Sequence, residues 1–355
     1  MSKLILSSII FFCFQSLHAQ VILNADGQTD TYSLITSVLA PGHNPIEVPD
    51  CNHEEFGDHI DQVFDDELNQ YVFRFHIHTE FDDDRCINFD RQRNEIKSYS
   101  NSPANLKGVE DETVIYKWQF KLAEGFQTSP NFTHIHQLKS VGGSLASMPI
   151  YTLTTRKGTP DQLELRYAET TSQVTLKKTD LAPFIGSWIQ VTETIRYGVD
   201  GTYDIIISSV NEGTTLFEYS TDSIINWREG ADFVRPKWGI YRSLLNAADL
   251  RDEMVLYANF SVEELEILSN EETATPENEW LASFDPFSGF LTIQNLPADG
   301  ESIRIYSNTG QKIHESGTNF RKDISIDLSR LTQGVYIIQI ENNTINSSKK
   351  IVVSQ

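Results

Sequence analysis

The chain has 355 residues, with 50 acidic side chains against 28 basic ones and a formal net charge of −22 at pH 7. So acidic a chain lacks the basic surface that binding to phosphate backbones requires, which excludes nucleic acid as its main partner. An anionic glycan is not excluded, because a binding groove can carry its own local cations.

The N-terminus, residues 1–19, has the pattern of a secretory signal peptide. Lys3 precedes an apolar run over residues 4–14, and the ending Leu17-His18-Ala19 suits a signal peptidase. This apolar run is short for a bilayer crossing, and no other stretch approaches the required length. We therefore predict a secreted, extracellular protein without a membrane span.

The chain contains three cysteines. Cys13 would leave with the signal peptide, so Cys51 and Cys86 remain as a pair in an oxidising compartment. We predict a disulfide between these two residues, and the alternative is two separate buried thiols. Two cysteines are also too few for a zinc ribbon.

Short segments of alternating apolar and polar residues, broken by Gly, Asn, Asp and Pro, recur from residue 20 to 268. Examples are residues 71–78, 114–122, 150–156, 162–168, 188–197 and 203–210. Because no segment has a long helical period, the pattern predicts an all-β fold, a jelly roll or concanavalin-like sandwich. About 250 residues still fit one domain of this class.

Residues 269–279 are polar and acidic, and we interpret them as a linker. The tail, residues 280–355, then carries the strings DPFSG (285–289), IRIYSNTGQK (303–312), IDLS (326–329), GVYII (334–338) and KKIVV (349–353). It resembles the C-terminal sorting domain of type IX secretion cargo. The resemblance implies a small β-sandwich, a partnership with the type IX machinery, and cleavage of the tail or attachment to the cell surface. An immunoglobulin-like accessory or carbohydrate-binding module is the alternative.

Three strand-like segments in the main domain have polar residues at every second position, which places those residues on one face of a sheet. The segments are residues 91–97, 133–139 and 237–242, and the aligned residues are Arg91, Arg93, Glu95, Lys97, Gln137, Lys139, Lys237, Gly239 and Tyr241. If all three faces line one groove, that groove is cationic within an acidic protein.

The same three segments resemble motifs of the jelly-roll alginate lyases, which carry Arg-x-Glu-Leu-Arg, Gln-Ile-His and Lys-Ala-Gly-x-Tyr strands. Here the order is RNEIK (93–97), QLK (137–139) and KWGIY (237–241). Lys139 stands where that family has histidine. A lysine at this position, the sorting tail and the string DRQRNE (90–95) are together more similar to the jelly-roll ulvan lyases, and more loosely to glucuronan lyases, over residues 20–265.

This resemblance implies an endo-acting lyase that cleaves a uronate-containing polysaccharide by β-elimination, with ulvan as the first candidate and glucuronan or alginate as alternatives. Removal of the C5 proton requires that the neighbouring carboxylate be neutralised, a task we assign to Arg93 and Gln137. Lys139 is the predicted base and Tyr241 the predicted acid, although Tyr241 could serve as both. Further predicted substrate contacts are Arg91, Lys237, Arg242, His76 and His78. We expect a monomer that requires no cofactor.

The base role requires the pKa of Lys139 to fall from about 10.4, which burial and the neighbouring cations would favour. The alternatives are that Lys139 is an ordinary solvated lysine, that Tyr241 only stacks on sugar rings, and that Arg93 pairs internally with Glu95. Trp238 alternates away from Tyr241, so we predict that it lies in the core.

Two His-x-His pairs have a spacing that can bind zinc on a strand. We instead predict that His134 and His136 pack inward and that His76 and His78 line the groove, with no metal bound. The acidic run 82–84 is either a solvated turn or the ligand set of a structural calcium ion.

Two other classes of function remain open. A hydrolase would need paired carboxylates, and the Glu-x-Asp-x-x-Glu strand of jelly-roll glucanases is absent. A non-catalytic glycan-binding jelly roll would keep the groove without proton transfer. Candidates for sulfate recognition at the rim of the groove are Lys117, Lys121, Arg156, Arg166 and Arg242.

Overall fold

The computed structural model describes residues 20–265 and, in the tail, residues 280–285, 289–294, 296, 302–307, 311–317, 323–332, 334–341 and 346–353. The predicted signal peptide with Cys13, the predicted linker and parts of the DPFSG and SNTG strings lie outside these residues. The chain divides into two compact units, Met1–Ile267 and Leu268–Gln355.

The first unit consists almost entirely of strands. In chain order they are β1 (Gln20–Leu23), β2 (Ile46–Glu47), β3 (Ile60–Asp65), β4 (Gln70–Ile77), β5 (Arg91–Lys97), β6 (Thr113–Leu122), β7 (Thr133–Gly142), β8 (Tyr151–Arg156), β9 (Gln162–Tyr167), β10 (Val174–Asp180), β11 (Ile189–Arg196), β12 (Gly201–Ser209), β13 (Thr215–Ile224), β14 (Ala231–Ser243) and β15 (Glu253–Leu265). Within residues 20–265, three 3₁₀ turns occur at Ala104–Leu106, Ala182–Phe184 and Ala247–Asp249, and one helix, α1, spans Thr31–Leu39.

These strands form two antiparallel sheets. The eight-stranded sheet has the order β13-β12-β11-β6-β15-β4-β3, with β1 paired to β15. The seven-stranded sheet has the order β10-β9-β8-β7-β14-β5-β2. Because several neighbours in each sheet, such as β6 and β15 or β7 and β14, are distant in sequence, the chain crosses repeatedly between the sheets, as in a jelly roll.

The core lies between the two sheets and follows from strict alternation along the strands. In β6, Val114, Tyr116, Trp118, Phe120 and Leu122 are at most 1% exposed, and the residues between them are partly exposed. Each large apolar side chain buried in this way contributes about 1.5–3 kcal/mol.

The predicted all-β jelly roll is confirmed, and each of the six predicted strands is present with ends shifted by no more than two residues. Trp238 lies in the core as predicted, with its ring 5.0 Å from that of Phe260 in the opposite sheet. Helix α1 was not predicted. Asp30 caps it by accepting a hydrogen bond from the Ser33 backbone N–H at 2.9 Å.

The second unit is also built of strands: β16 (Leu281–Asp285), β17 (Phe290–Gln294), β18 (Ser302–Ser307), β19 (Lys312–Gly317), β20 (Ile324–Asp327), β21 (Gly334–Glu341) and β22 (Asn346–Val353). They form one sheet in the order β16-β17-β20 and another in the order β19-β18-β21-β22. Trp280, Leu291, Ile305 and Ile338 lie in its separate apolar core. Within the described part of the whole chain, no helix has the length and apolar character needed to cross a membrane.

Cys51 and Cys86 form a disulfide, with their Cα atoms 6.3 Å apart. The predicted pairing is therefore confirmed. The bond joins the loop before β3 to the loop before β5.

Gly239 allows β14 and β5 to approach each other closely. Its φ angle is +141°, and a Cβ atom at this position would lie 2.0 Å from the carbonyl oxygen of Asn94 and 2.7 Å from the Cα of Glu95. Both neighbours are backbone atoms of a central strand, so they have little freedom to move. Only glycine suits this position.

We predict that Gly239→Ala lowers the free energy of unfolding by about 2 kcal/mol or more, because it adds both backbone strain and a clash. Chemical denaturation of the secreted protein would measure the loss. Gly213→Ala is the matched control, since Gly213 also has a positive φ of +67° but has nothing within 4 Å of an added Cβ. Equal losses in the two variants would contradict the packing argument.

Candidate active site

The three polar segments singled out in the sequence are neighbouring strands, β5, β14 and β7, of the seven-stranded sheet. Tyr241 of β14 is paired with Arg93 of β5 on one side and with His134 of β7 on the other. Lys237 of β14 is likewise paired with Gln137 of β7. Since directly paired residues share a face of a sheet, the three segments contribute to one surface.

That surface contains a pocket of about 210 Å³. Its lining is Arg91, Arg93, Phe132, His134, Gln137, Lys139, Ser147, Met148, Pro149, Gln173 and Tyr241. Five of the predicted site residues are in this set, namely Arg91, Arg93, Gln137, Lys139 and Tyr241.

Glu95 lies beneath the pocket and is 1% exposed. Its carboxylate accepts hydrogen bonds from Arg93 Nη1 at 2.5 Å, from Lys237 Nζ at 2.6 Å and from the side-chain amide of Gln137. Burial alone would raise the pKa of Glu95, but Lys237 and Arg93 together hold it below its ordinary value. Glu95 is therefore an anion that fixes the positions of three pocket residues.

Glu47 on β2 is a second buried carboxylate of this network. It pairs with Lys237 at 2.5 Å, with Arg85 at 2.6 Å and with Lys97 at 2.7 Å. Against the effect of burial, the cations Lys237, Arg93 and Lys97 hold the pKa of Glu47 well below its usual range. Glu47 could not be recognised from the sequence, because a two-residue strand at a sheet edge leaves no periodic pattern.

Arg93 is held on several sides. Its Nε donates to Asp84 at 2.8 Å, its Nη1 contacts Glu95, and its guanidinium carbon lies 3.7 Å from the centre of the Tyr241 ring. The internal pairing of Arg93 with Glu95, considered above as an alternative, is present. Arg93 thus supplies a fixed positive charge at the pocket wall, although its side chain is only 10% exposed.

The hydroxyl of Tyr241 accepts a hydrogen bond from Arg91 Nη1 at 2.9 Å. The side chain of Arg91 is 34% exposed and also pairs with Asp90 at 2.6 Å. Phe132 packs against the Tyr241 ring, with 5.0 Å between the ring centres. Tyr241 is therefore oriented by contacts on several sides, and its own O–H hydrogen is not used by Arg91.

Lys139 differs from Arg91, Arg93 and Lys237, which are all held in ion pairs. Its ammonium group has no hydrogen bond or ion pair with any residue in the described part of the chain, although it lines the pocket. Burial lowers the pKa of Lys139 to about 8, and the nearby charges of Lys237, Arg93 and Arg235 act in the same direction. Near pH 8, about half of this lysine is neutral and able to accept a proton.

The placement of His134 differs from the prediction that it packs inward. The pairing of β7 with β8 shifts between His134 and His136, which is the sign of a β-bulge. As a result His134 lines the pocket, whereas His136 packs in the core against Trp118. Burial lowers the pKa of His134 to about 3, so its imidazole is neutral.

Two predicted substrate contacts do not line the pocket. Arg242 is 1% exposed and donates to Gln92 and to the backbone carbonyl of Arg251. It is adjacent to Tyr241 in an alternating strand, so it points to the opposite face of the sheet. Lys237 is on the correct face but is 2% exposed, because it is buried between Glu95 and Glu47.

His76 and His78 also lie outside the pocket, contrary to the prediction. They flank the end of β4, which belongs to the eight-stranded sheet. His76 contacts Asp61 at 3.4 Å and His78 contacts Asp82 at 3.1 Å. Alternation placed them correctly on the polar face of their strand, but it could not show to which sheet that strand belongs.

The acidic run 82–84 is buried and is not a solvated turn. Its three carboxylates have different partners: Asp82 contacts histidines, Asp83 accepts from the backbone N–H of Cys86, and Asp84 accepts from Arg93.

The residues predicted to recognise sulfate at the rim of the groove lie on different sheets. Lys117 and Lys121 lie on β6 of the eight-stranded sheet. Arg166 is paired with Thr152, which is itself paired with Gln137, so Arg166 shares the face that carries the pocket. Arg156 alternates in phase with Thr152 and is on the same face.

Comparison of the tail with protein families gives one match. Residues 285–354 match the family described as a secretion system C-terminal sorting domain. This is the type IX signal inferred from the tail, and the protein is accordingly secreted.

No curated protein matches the chain. Among solved structures, an endo-β-1,4-glucuronan lyase from the fungus Trichoderma reesei is 15% identical with a TM-score of 0.42, covering 57% of this chain and 86% of that one. An alginate lyase of family PL-14 from Aplysia kurodai is 11% identical with a TM-score of 0.46, covering 68% and 97%. An alginate lyase from Pseudomonas aeruginosa is 12% identical with a TM-score of 0.40, covering 62% and 97%.

Proposed function

We propose that the protein is a secreted, endo-acting polysaccharide lyase that cleaves a uronate-containing anionic polysaccharide by β-elimination, with ulvan as the first candidate. The observation that carries the proposal is Lys139, an unpaired lysine with a lowered pKa in a pocket that it shares with Tyr241. A perturbed group of this kind in a concave site is typical of a catalytic base.

The reaction begins when neutral Lys139 removes the proton from C5 of the uronate. The electrons of that C–H bond form the C4=C5 double bond, and the bond from C4 to the glycosidic oxygen O4 breaks. Tyr241 donates its proton to O4, which becomes the hydroxyl of the departing chain. The remaining sugar is an unsaturated uronate, and proton exchange with water restores both side chains.

The hydrogen bond from Arg91 supports the acid role of Tyr241. Because Arg91 Nη1 donates to the Tyr241 oxygen, it occupies a lone pair there and leaves the hydroxyl hydrogen free to point into the pocket. The guanidinium of Arg93 against the ring also stabilises negative charge that remains on the phenol after proton transfer.

The substrate carboxylate must be neutralised as charge moves onto it from C5. Both Arg91 and Arg93 are held in ion pairs, and Arg91 is better able to reach it because its side chain is 34% exposed against 10% for Arg93. Arg93 then acts as a fixed charge behind the contact. Gln137 contributes the second hydrogen of its side-chain amide, since the first is donated to Glu95.

His134 is a competing candidate for the base. With a pKa of about 3, its imidazole is a far weaker base than an amine whose pKa is about 8. Brønsted behaviour favours the group whose pKa lies near the working pH, so we assign the base to Lys139. A neutral His134 is suited to a hydrogen bond with a sugar hydroxyl.

A hydrolase is disfavoured by the state of the carboxylates. Hydrolysis of a glycosidic bond needs one protonated carboxyl group and one free carboxylate. Glu95, Glu47 and Asp84 are all held in ion pairs, and the pKa of each is lowered. None of them can protonate a glycosidic oxygen near neutral pH.

Ulvan is preferred to glucuronan and alginate because it carries sulfate as well as uronate. Arg156 and Arg166 lie on the same face beyond the pocket and would bind the sulfate, with Arg166 held in place by its ion pair with Glu164 at 2.9 Å.

The first prediction from this function is a rise in near-ultraviolet absorbance when the mature protein is incubated with a uronate polymer. The rise comes from the new double bond conjugated with the carboxylate. A panel of ulvan, glucuronan, alginate and heparin would show it, with ulvan degraded fastest. No rise on any of the four polymers would contradict the lyase proposal, and binding without a rise would favour a non-catalytic glycan-binding jelly roll.

The second prediction concerns the base. In the wild type, kcat/KM should rise about tenfold per pH unit below the Lys139 pKa of about 8 and level off above it, because only the neutral amine accepts the proton. Lys139→Met should lower kcat/KM by about 100-fold or more. Lys178→Met, which changes an exposed lysine on β10 of the same sheet, is the control. Turnover by Lys139→Met within a few-fold of the control would remove Lys139 from the base role.

The third prediction concerns the acid. Tyr241→Phe keeps the ring contacts with Arg93 and Phe132, so the fold should persist. Loss of the hydroxyl should lower kcat by about 100-fold or more with little change in KM, since general acid catalysis is typically worth this much. Tyr71→Phe, on the exposed side of β4, is the control. If kcat stays near normal while KM rises, Tyr241 binds sugar and does not transfer a proton.

A further inference from the structure

Four potential ligand side chains meet outside the pocket, at the end of β4: His53, His59, His78 and Asp82, which we call the histidine cluster. One ligand atom from each lies within 4.8 Å of all the others. His59 directly precedes β3, and His78 directly follows β4. The antiparallel pairing of these two strands therefore brings the histidines together, and the turn after β4 supplies Asp82.

Three imidazole rings are directed at one carboxylate. His53 Nδ1 lies 2.8 Å and His59 Nε2 lies 3.1 Å from Asp82 Oδ1, and His78 Nδ1 lies 3.1 Å from Asp82 Oδ2. In a tetrahedral zinc site with bonds of about 2.0–2.1 Å, neighbouring ligand atoms are about 3.3 Å apart. The three nitrogen-to-carboxylate separations, of 2.8, 3.1 and 3.1 Å, are close to this distance, and the nitrogen atoms lie within 4.8 Å of one another.

The orientation of His59 is set by a second carboxylate. Its Nδ1 lies 2.7 Å from Asp50 Oδ1, and the other oxygen of Asp50 accepts from the Tyr32 hydroxyl at 2.8 Å. When Nδ1–H donates to Asp50, the Nε2 of the neutral ring carries a lone pair that faces Asp82. Two lone pairs facing each other require a positive charge between them, which is either a proton on Nε2, giving an imidazolium that donates to both Asp50 and Asp82, or a metal ion. The chain of carboxylate, histidine and metal is a common arrangement in zinc proteins.

The cluster is largely shielded from water. The side chains of His59 and Asp82 are fully buried, and those of His53 and His78 are about one-fifth exposed. The ring of Phe56 covers them, with its centre 4.3 Å from that of His78 and 4.7 Å from that of His59. Among the described residues, no lysine or arginine forms an ion pair with Asp82. Arg242 interacts with Asp82 electrostatically without forming an ion pair, so a positive charge in direct contact with this buried carboxylate must come from the cluster or from a bound ion.

The donor set determines the class of metal. Three imidazole nitrogens and one carboxylate oxygen suit zinc, whereas calcium takes six to eight oxygens. Four protein ligands leave no open position, which is the arrangement of a structural site. The nearby Cys51 and Cys86 are joined in a disulfide and provide no thiolate.

We propose that His53, His59, His78 and Asp82 bind one zinc ion, which joins the loop before β3 to the turn after β4. The turn leads directly to Asp83, whose carbonyl oxygen accepts from the Arg93 backbone N–H at 3.1 Å. The ion thereby stabilises the segment that anchors Arg93. None of the four ligands lines the pocket, so the evidence for the zinc site does not rest on the lyase chemistry.

The test uses the mature protein, depleted of metal with a chelator, reloaded with zinc chloride and dialysed. We expect one zinc per chain by elemental analysis and a higher melting temperature than that of the metal-free protein.

His53→Ala and His78→Ala, which change the two partly exposed ligands, should each weaken zinc binding by at least about 100-fold, and Asp50→Asn by about 10–100-fold. His43→Ala is the control, because His43 lies on an exposed loop outside the cluster. Cobalt loaded in place of zinc should give the visible absorption of tetrahedral coordination.

Three results would overturn the proposal: no zinc retained by the wild type, zinc retained equally by the ligand variants and the control, or stabilisation by calcium and not by zinc. If the variants fail to fold, the wild type with and without zinc still decides, because a melting temperature that does not respond to zinc contradicts a structural site. None of these measurements depends on polysaccharide cleavage, so their failure is distinguishable from failure of the proposed lyase activity.

Discussion

The pocket depends on one buried carboxylate, that of Glu95, and on the cations that surround it. A charge with 1% exposure is stable only if it is paired and hydrogen-bonded, and Arg93, Lys237 and Gln137 provide those contacts. The same contacts hold Gln137 and Arg93 in place at the pocket wall. Removing the Glu95 carboxylate would break both ion pairs and release the Gln137 amide, and among their close partners Arg93 would then keep Asp84 and Lys237 would keep Glu47.

The network also explains how an acidic protein carries a cationic pocket. Glu47, Asp84 and Glu95 pair with other cations below the surface, and Lys139 has no ion-pair partner among the described residues. Lys139 is partly buried among like charges, so its neutral form is favoured. Net charge therefore predicts little about a site that is built from a few residues on three adjacent strands.

Much of this arrangement could be predicted from the sequence, because the period of two in a strand is read directly from alternating residues. It placed Arg91, Arg93 and Glu95 on one face of β5, and Gln137 with Lys139 on one face of β7. Arg242 was wrongly predicted as a substrate contact, although alternation along β14 places it on the opposite face from Tyr241. The other differences arise where alternation fails or does not apply. A β-bulge moved His134 to the pocket side, and α1 is too short for a clear helical period.

Properties of the three-dimensional arrangement were not accessible from the sequence. Glu47 lies in a two-residue strand, and His53 and His59 lie in a loop, so no pattern connects them with their partners. Lys237 could be placed on the correct face, but its burial between Glu95 and Glu47 depends on contacts between distant strands. Which cation of the pocket lacks an ion-pair partner therefore depends on contacts between strands that are distant in sequence.

The account as a whole depends on Lys139 being a free amine with a lowered pKa. The most direct measurement is an NMR titration of the protein with ¹³C-labelled lysine side chains, in which Lys139→Arg identifies the signal. The arrangement predicts an inflection at a pH of about 8 for Lys139. An inflection near the ordinary value of about 10.4 would contradict it, because the lysine would then be protonated at neutral pH like any solvated surface lysine.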